Sequence, residues 1–265
     1  MNRYLTSVII LLLALTATGL QGRCGLPASV AFLGDSNTWT GGDGCTGPQA
    51  WSYHLVRNLL PRDCRSFARS GATWTNNSAT TVSPGFYSEV LHDDNVIYNQ
   101  ALRLIMAVDS GAFASPGYIF IMGGTNDAWF ADRRPGIWSE SVEAVCNRQF
   151  DTNMQPAEAT SLAASARLVL RLLRDRFPQA HILVLTPPFT VKASAADIIK
   201  VAETLQQVAV RENVYCMRLE RISGIDPEKE AMKPYLTTDG THTSRTGAWQ
   251  IANCVYNFMV YNNWI

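Results

Sequence analysis

Ala28-Ser29-Val30-Ala31-Phe32-Leu33 runs directly into Gly34-Asp35-Ser36. The first six residues show no alternation of polar and apolar positions, which is the pattern of a strand buried on both faces of a parallel sheet. The same form recurs where Tyr118-Ile119-Phe120-Ile121-Met122 runs into Gly123-Gly124-Thr125-Asn126-Asp127. Gly-Asp-Ser alone is an ordinary turn. Two polar, glycine-bearing turns that each close a buried strand lie together at the carboxyl edge of a sheet, where open α/β sheets bind ligands.

Outward from these strands the chain alternates helix and strand. Residues 64–68 read as a second strand, and 181–185 and 213–219 as a fourth and fifth. Pro48 suits the first turn of a helix over 48–60, and a further helix is expected over 96–108. Pro156 is expected to open a helix in which Leu162, Ala166, Val169, Leu173 and Phe177 share one face before Pro178 stops it. Helices over 194–211 and from Ser244 onward, the last burying Ala248, Ile251, Val255 and Phe258, complete the pattern. Such alternation implies a parallel sheet covered on both faces. Two long segments, 74–95 and 128–155, follow the turn-bearing strand ends and are expected to overhang the functional edge.

Two further short blocks join the first two, Arg69-Ser70-Gly71-Ala72-Thr73 and Asp239-Gly240-Thr241-His242. With these four blocks in order, the chain resembles the SGNH (GDSL) hydrolase family from about residue 28 to the final helix. Each block is loose by itself, and jointly they are specific. Asn37 stands where Leu is usual after Gly-Asp-Ser, and Ala72 where an acidic residue is common; neither position is expected to carry chemistry. The resemblance implies a flavodoxin-like three-layer α/β/α sandwich with a five-stranded parallel sheet, and one hydrolase domain over 23–265.

The residue types fit serine-based acyl transfer. A serine hydroxyl attacks a carbonyl efficiently only if a base takes its proton. Of the four histidines, His54 falls within a helix, His92 in a loop beside two aspartates and His181 at the wrong end of a strand, which leaves His242 as the base for Ser36. Asp239, three residues earlier, can orient the imidazole. By resemblance, the oxyanion donors are the backbone N–H groups of Ser36 and Gly71 and the side-chain amide of Asn126, while Asp35 and Asp127 brace the motif loops. Trp39, Trp74, Trp129 and Trp138 lie in or beside loops of the same edge and are candidates for stacking on a sugar ring. Arg133 and Arg134 read as a solvated turn.

With 22 basic and 22 acidic residues, nothing points to nucleic acid or to an anionic membrane surface. A short basic start, an apolar run over 5–15 and then small residues read as a secretory signal peptide over about 1–22, with no stable membrane insertion once it is removed. Roughly 245 residues then remain, which suits one α/β domain. The Gly-rich run Gly41 to Gly47 lacks the Gly-Lys-Ser/Thr ending of a phosphate loop.

No cofactor or metal site is expected, because the six cysteines and four histidines form no cluster at ligand spacing. After export the cysteines can pair. Cys24–Cys64 is the expected bridge and Cys45–Cys146 a second. Cys45 and Cys64 are expected to be too far apart unless the Gly-rich loop folds back. Cys216 and Cys254 read as buried apolar groups.

Together these features point to an exported serine esterase acting on short acyl esters, acetate foremost, with a carbohydrate as the leading substrate among small-molecule and glycan esters. A lipid esterase, thioesterase or lysophospholipase of the same family is the rival. A metallophosphoesterase would need several histidines beside the motifs, and a non-catalytic carbohydrate-binding protein would not need all four blocks. Oligomeric state is not legible.

Overall fold

The computed structural model describes residues 28–85 and 90–265, so the expected signal peptide and Cys24 lie outside the described residues. In chain order the elements are β1 (Ser29–Gly34), α1 (Ser36–Trp39), α2 (Trp51–Leu59), β2 (Cys64–Ser66), α3 (Ile97–Asp109), β3 (Pro116–Met122), α4 (Thr125–Trp129) and α5 (Val142–Asn147). They continue as α6 (Leu162–Arg176), β4 (His181–Leu185), α7 (Ala195–Arg211), β5 (Tyr215–Met217), α8 (Leu219–Ile222), α9 (Pro227–Met232) and α10 (Arg245–Tyr261). The five strands form one parallel sheet in the order β2-β1-β3-β4-β5. This is the three-layer α/β/α arrangement.

The strands read as continuous apolar runs because both faces are covered. Ala31 and Leu33 of β1, Ile119 and Ile121 of β3, and Ile182 and Val184 of β4 enter one core with α3, α6 and α7. The intervening Val30, Phe32, Phe120, Met122, Leu183 and Leu185 enter the other core, with α2 and α10. There Phe32, Trp51 and Phe120 meet with ring centroids 5.2 to 6.0 Å apart, edge-on or offset as aromatic quadrupoles favour.

Several boundaries differ from expectation for local reasons. The β2 ladder is regular only to Ser66, but the Phe67 and Arg69 N–H groups still reach the Phe32 and Gly34 carbonyls (2.7 and 3.1 Å), so the run to 68 follows β1 to its end. Pro156 opens a separate 3₁₀ turn, Pro156–Glu158, closed by the Glu158 carboxylate accepting from Gln155 N–H (2.7 Å). The helix itself starts at Leu162, where Ser161 Oγ accepts from Ala164 N–H (3.1 Å). In α10, Met259 rather than Phe258 takes the fully buried position. Segment 128–155 holds α5 and further turns, and Arg134 is not solvated: it is buried, donating to Asp93 Oδ1 and the His92 carbonyl (both 3.3 Å).

Cys45 belongs to the α2/α10 core and Cys146 packs on the opposite core, so the sheet separates the expected Cys45–Cys146 pair. Cys216 and Cys254 each pack against one of the two cores but are only partly buried, less than expected. No helix among the described residues is long and apolar enough to cross a membrane.

Gly247 shows what holds the last loop in place. A Cβ there would lie 1.9 Å from the Leu236 carbonyl oxygen, a backbone atom that also accepts from Ser244 N–H (2.9 Å). Alanine is the better helix former by about 1 kcal/mol. The clash should dominate, and Gly247→Ala is expected to lose about 2 kcal/mol of unfolding free energy in urea titration. A gain in stability would show that the 236–244 loop yields.

Candidate active site

β1 ends where the chain must turn sharply against β3. Gly34 has φ +142°, and a Cβ would lie 1.9 Å from the Met122 carbonyl oxygen, so only glycine fits. Its peptide is clamped by Gln100 of α3, which accepts from Gly34 N–H (2.7 Å) and donates to the Gly34 carbonyl (2.9 Å). Asp35 caps the next turn, its Oδ1 accepting from Asn37 N–H (3.1 Å), and Ser36 opens α1 with 9% of its surface exposed. Asn37 has a part that the sequence did not announce: its Oδ1 accepts from Thr243 N–H (2.9 Å), joining the Ser36 turn to the His242 loop.

That loop is a tight reversal. Thr238 N–H reaches the His242 carbonyl (2.8 Å), and Gly240 N–H reaches Thr237 Oγ1 (2.9 Å). Glu230 of α9 anchors its entrance by accepting from the N–H groups of Tyr235, Leu236 and Thr237 at 2.9 to 3.0 Å. Burial alone would raise the Glu230 carboxyl, but these donors and the Thr237 hydroxyl outweigh it and hold the group below its ordinary value.

The reversal brings the sequence-selected groups together. Ser36 Oγ lies 3.0 Å from His242 Nε2, and His242 Nδ1 lies 2.8 Å from Asp239 Oδ2. Asp239 Oδ1 accepts from the N–H groups of His242 (2.8 Å) and Thr241 (3.0 Å). Partial burial pushes this carboxyl up, yet the His242 and Thr241 contacts together hold it below the ordinary range, so it is anionic at neutral pH. A hydroxyl, an imidazole and a carboxylate in series can pass the hydroxyl proton to the ring as the oxygen attacks an electrophile.

The other two blocks arrive alongside. Gly71, at φ +75°, leaves no room for a side chain, since a Cβ would lie 2.6 Å from Val90 Cα. Asn126, near the start of α4, is buried and donates one amide N–H to the Ala72 carbonyl (2.9 Å); the amide carries a second donor. Asp127 next to it braces the loop after Gly71, accepting from the N–H groups of Trp74 (3.0 Å) and Thr75 (2.8 Å) and from the Thr75 hydroxyl (2.6 Å).

The tryptophans divide. Trp74 is 0% exposed and belongs to the core, so it does not meet a substrate; its position just after the Asp127-braced turn folds it inward. Trp138 packs against the core with Lys200 3.9 Å above its ring. Trp39 and Trp129 remain on the surface, 43% and 36% exposed, and Trp129 stacks on Phe130 beneath Lys192. Sequence reasoning missed Gln100, Glu230 and the link from Asn37. Only Gln100 left a signal, an amide on the apolar face of a helix.

Asp35 carries a measurable cost. Full burial pushes its carboxyl up to about 6, against the opposing pull of the Asn37 N–H and of the neighbouring Thr125 hydroxyl. The folded state therefore keeps this proton at pH values where the unfolded chain, titrating near 3.8, has lost it. Stability from this group falls as pH rises through the window from 3.8 to about 6. Between about pH 4.5 and about pH 7.5 the loss should be about 2 kcal/mol. Asp35→Asn keeps the Asn37 cap, and its unfolding free energy should lack that increment of pH dependence when both proteins are titrated with urea. Parallel profiles would contradict the burial argument.

Comparison with known proteins agrees with this geometry. Residues 32–250 match the model of the GDSL-like lipase/acylhydrolase family, a span that contains all four blocks. No curated protein matches the sequence. Among solved structures, a protein provisionally called a GDSL-like lipase from Bacteroides ovatus is 19% identical with a TM-score of 0.58, covering 89% of this chain and 100% of its own. An acetyl xylan esterase is 16% identical with a TM-score of 0.54, covering 87% of this chain and 98% of its own. A protein described as a possible lipase from Chitinophaga pinensis is 16% identical with a TM-score of 0.55, covering 89% and 99%. At these identities the structures speak to the fold, and the family match speaks to the chemistry: the chain belongs to the GDSL-like lipase/acylhydrolase family and is a hydrolase of ester bonds.

Proposed function

We propose that the protein is an exported serine esterase that removes short acyl groups, acetyl foremost, from a carbohydrate. The observation that carries this reading is the chain from Ser36 Oγ through His242 to Asp239, at 3.0 and 2.8 Å. With Nδ1–H donated to Asp239, Nε2 accepts the Ser36 proton as Oγ adds to the ester carbonyl. The tetrahedral oxyanion meets the N–H groups of Ser36 and Gly71 and the second amide N–H of Asn126, and stabilising that charge is the largest single contribution expected of the site. Collapse expels the alcohol, which takes the proton from His242, and water then repeats the sequence on the Ser36 ester. Asp239 stabilises the imidazolium that forms on the way.

Export is supported by the basic start, apolar run and small residues of 1–22, and 23–265 would be the single working domain. The carbohydrate reading is supported by Trp39, an exposed flat ring beside the Ser36 turn, by the exposed part of Trp129 beside the Asn126 turn, and by the fold shared with an acetyl xylan esterase.

A serine-directed fluorophosphonate should add one adduct to the Ser36 peptide, and Ser36→Ala should lower kcat at least ~10⁴-fold. Labelling elsewhere, or retained activity, would contradict the assignment. Asn126→Ala should reduce kcat by about 10²- to 10³-fold with KM nearly unchanged, since the charge it meets exists mainly in the transition state. A rise in KM alone would make Asn126 an ordinary binding group.

For the substrate, Trp129→Ala should cost about tenfold in kcat/KM on an acetylated oligosaccharide, equivalent to roughly 1.4 kcal/mol, while p-nitrophenyl acetate changes by less than about twofold. Rates that rise steadily with acyl chain length would instead identify a lipid esterase.

A further inference from the structure

The Gly-rich loop between α1 and α2 folds back over β2. The Gly41 carbonyl accepts from both Thr46 N–H (2.7 Å) and Gly47 N–H (3.0 Å), which reverses the chain. On the returning side, the Asp43 carbonyl accepts from Ser66 N–H (2.8 Å) and the Asp43 carboxylate pairs with Arg69 (2.8 Å). Cys45 therefore comes down on Cys64, contrary to the expectation that the intervening helix keeps them apart. Cys45, with φ 54°, is only 3% exposed within the α2/α10 core, Cys64 is half-buried against the same core, and the two thiols lie close enough that each is the main influence on the other's proton.

We propose that Cys45 and Cys64 are a redox-active pair that closes to a disulfide, locking the Gly-rich loop onto β2. The loop is worth locking because both sides of the site lean on its flanks. Trp51 Nε1–H donates to Thr38 Oγ1 (3.0 Å) in the turn that holds Ser36, and Thr243 Oγ1 donates to the Gln49 carbonyl (2.6 Å) beside His242.

The oxidant is a low-molecular-weight disulfide of the glutathione type. The neighbouring Cys45 thiol holds the Cys64 thiol down to about 7 while its own is raised, so the more exposed sulfur is the one ionised near neutral pH. The Cys64 thiolate attacks one sulfur of the oxidant and expels a thiolate, leaving a mixed disulfide. That thiolate takes the Cys45 proton. Cys45 sulfur then displaces the second thiol from Cys64. The protein dithiol loses two electrons and the oxidant disulfide becomes two thiols.

Peptide mapping decides the connectivity. Purified protein is incubated with glutathione disulfide, alkylated, and cleaved before aspartates, which places Cys45 in fragment 43–62, Cys64 in 63–92 and Cys24 in a separate fragment before Asp35. The expected product is 43–62 joined to 63–92, separated by reduction. Fragment 63–92 joined to the Cys24 fragment, or both thiols alkylated, would overturn the proposal. Reduction should lower Tm by about 5–10 °C for a loop of this length. Cys64→Ser should show that lower Tm from the outset and respond no further to reductant, while keeping its activity on p-nitrophenyl acetate. An unchanged wild-type Tm on reduction would equally overturn it.

Discussion

Where the strands of a parallel sheet end, their backbone N–H and C=O groups lose their ladder partners while still buried, and buried backbone groups must be satisfied. In the turns around the carboxyl edge of this sheet much of that demand is met by side chains, some from distant segments and one from the preceding helix. Gln100 closes both polar groups of Gly34, Asp127 takes the N–H groups of Trp74 and Thr75, and Glu230 takes three consecutive N–H groups at 235–237. Each contact fixes the course of a segment that carries or adjoins one group of the candidate site. The 3.0 Å approach of Ser36 to His242, 206 residues apart, is the sum of those anchors.

This arrangement explains why two of the anchors are carboxylates whose burial is unfavourable in isolation. A carboxylate presents two acceptor oxygens where an amide of the same size presents one, so it can take three N–H groups at once, and the accepted donors offset part of the desolvation. For Glu230 and Asp239 the donors win and the groups titrate low; for Asp127, sealed beneath the loop after Gly71, burial wins and the carboxyl is raised. A site of this kind trades stability for placement.

Much of this was legible in the sequence, and the division follows periodicity. β1, β3 and β4 could be read because burial on both faces leaves continuous apolar runs, and α6 because Leu162, Ala166, Val169 and Leu173 recur on one face. Ser36 could be read because it closes such a run, and Asp239 and His242 because their block stands in order with the other three. The remainder depended on long-range contacts that no local pattern encodes. Nothing near Trp74 shows that Asp127 will fold it inward, nothing near Arg134 announces Asp93, and the return of Cys45 onto β2 rests on Asp43 meeting Ser66 and Arg69. Pro156 misled because proline opens a 3₁₀ turn as readily as an α-helix, and Ser161 was the better start signal.

If side chains outside the four blocks set the approach of Ser36 to His242, removing one must slow the serine while leaving the protein folded. Gln100→Met preserves volume and removes only the two hydrogen bonds to Gly34. The second-order rate of its reaction with a fluorophosphonate, compared with wild type at matched near-UV circular dichroism, is the direct measurement. A misplacement of even about 1 Å is worth up to ~10²-fold, so the rate should fall at least about tenfold. A folded variant that reacts at the wild-type rate would show that the blocks position themselves, and that Gln100 does no more than fill space.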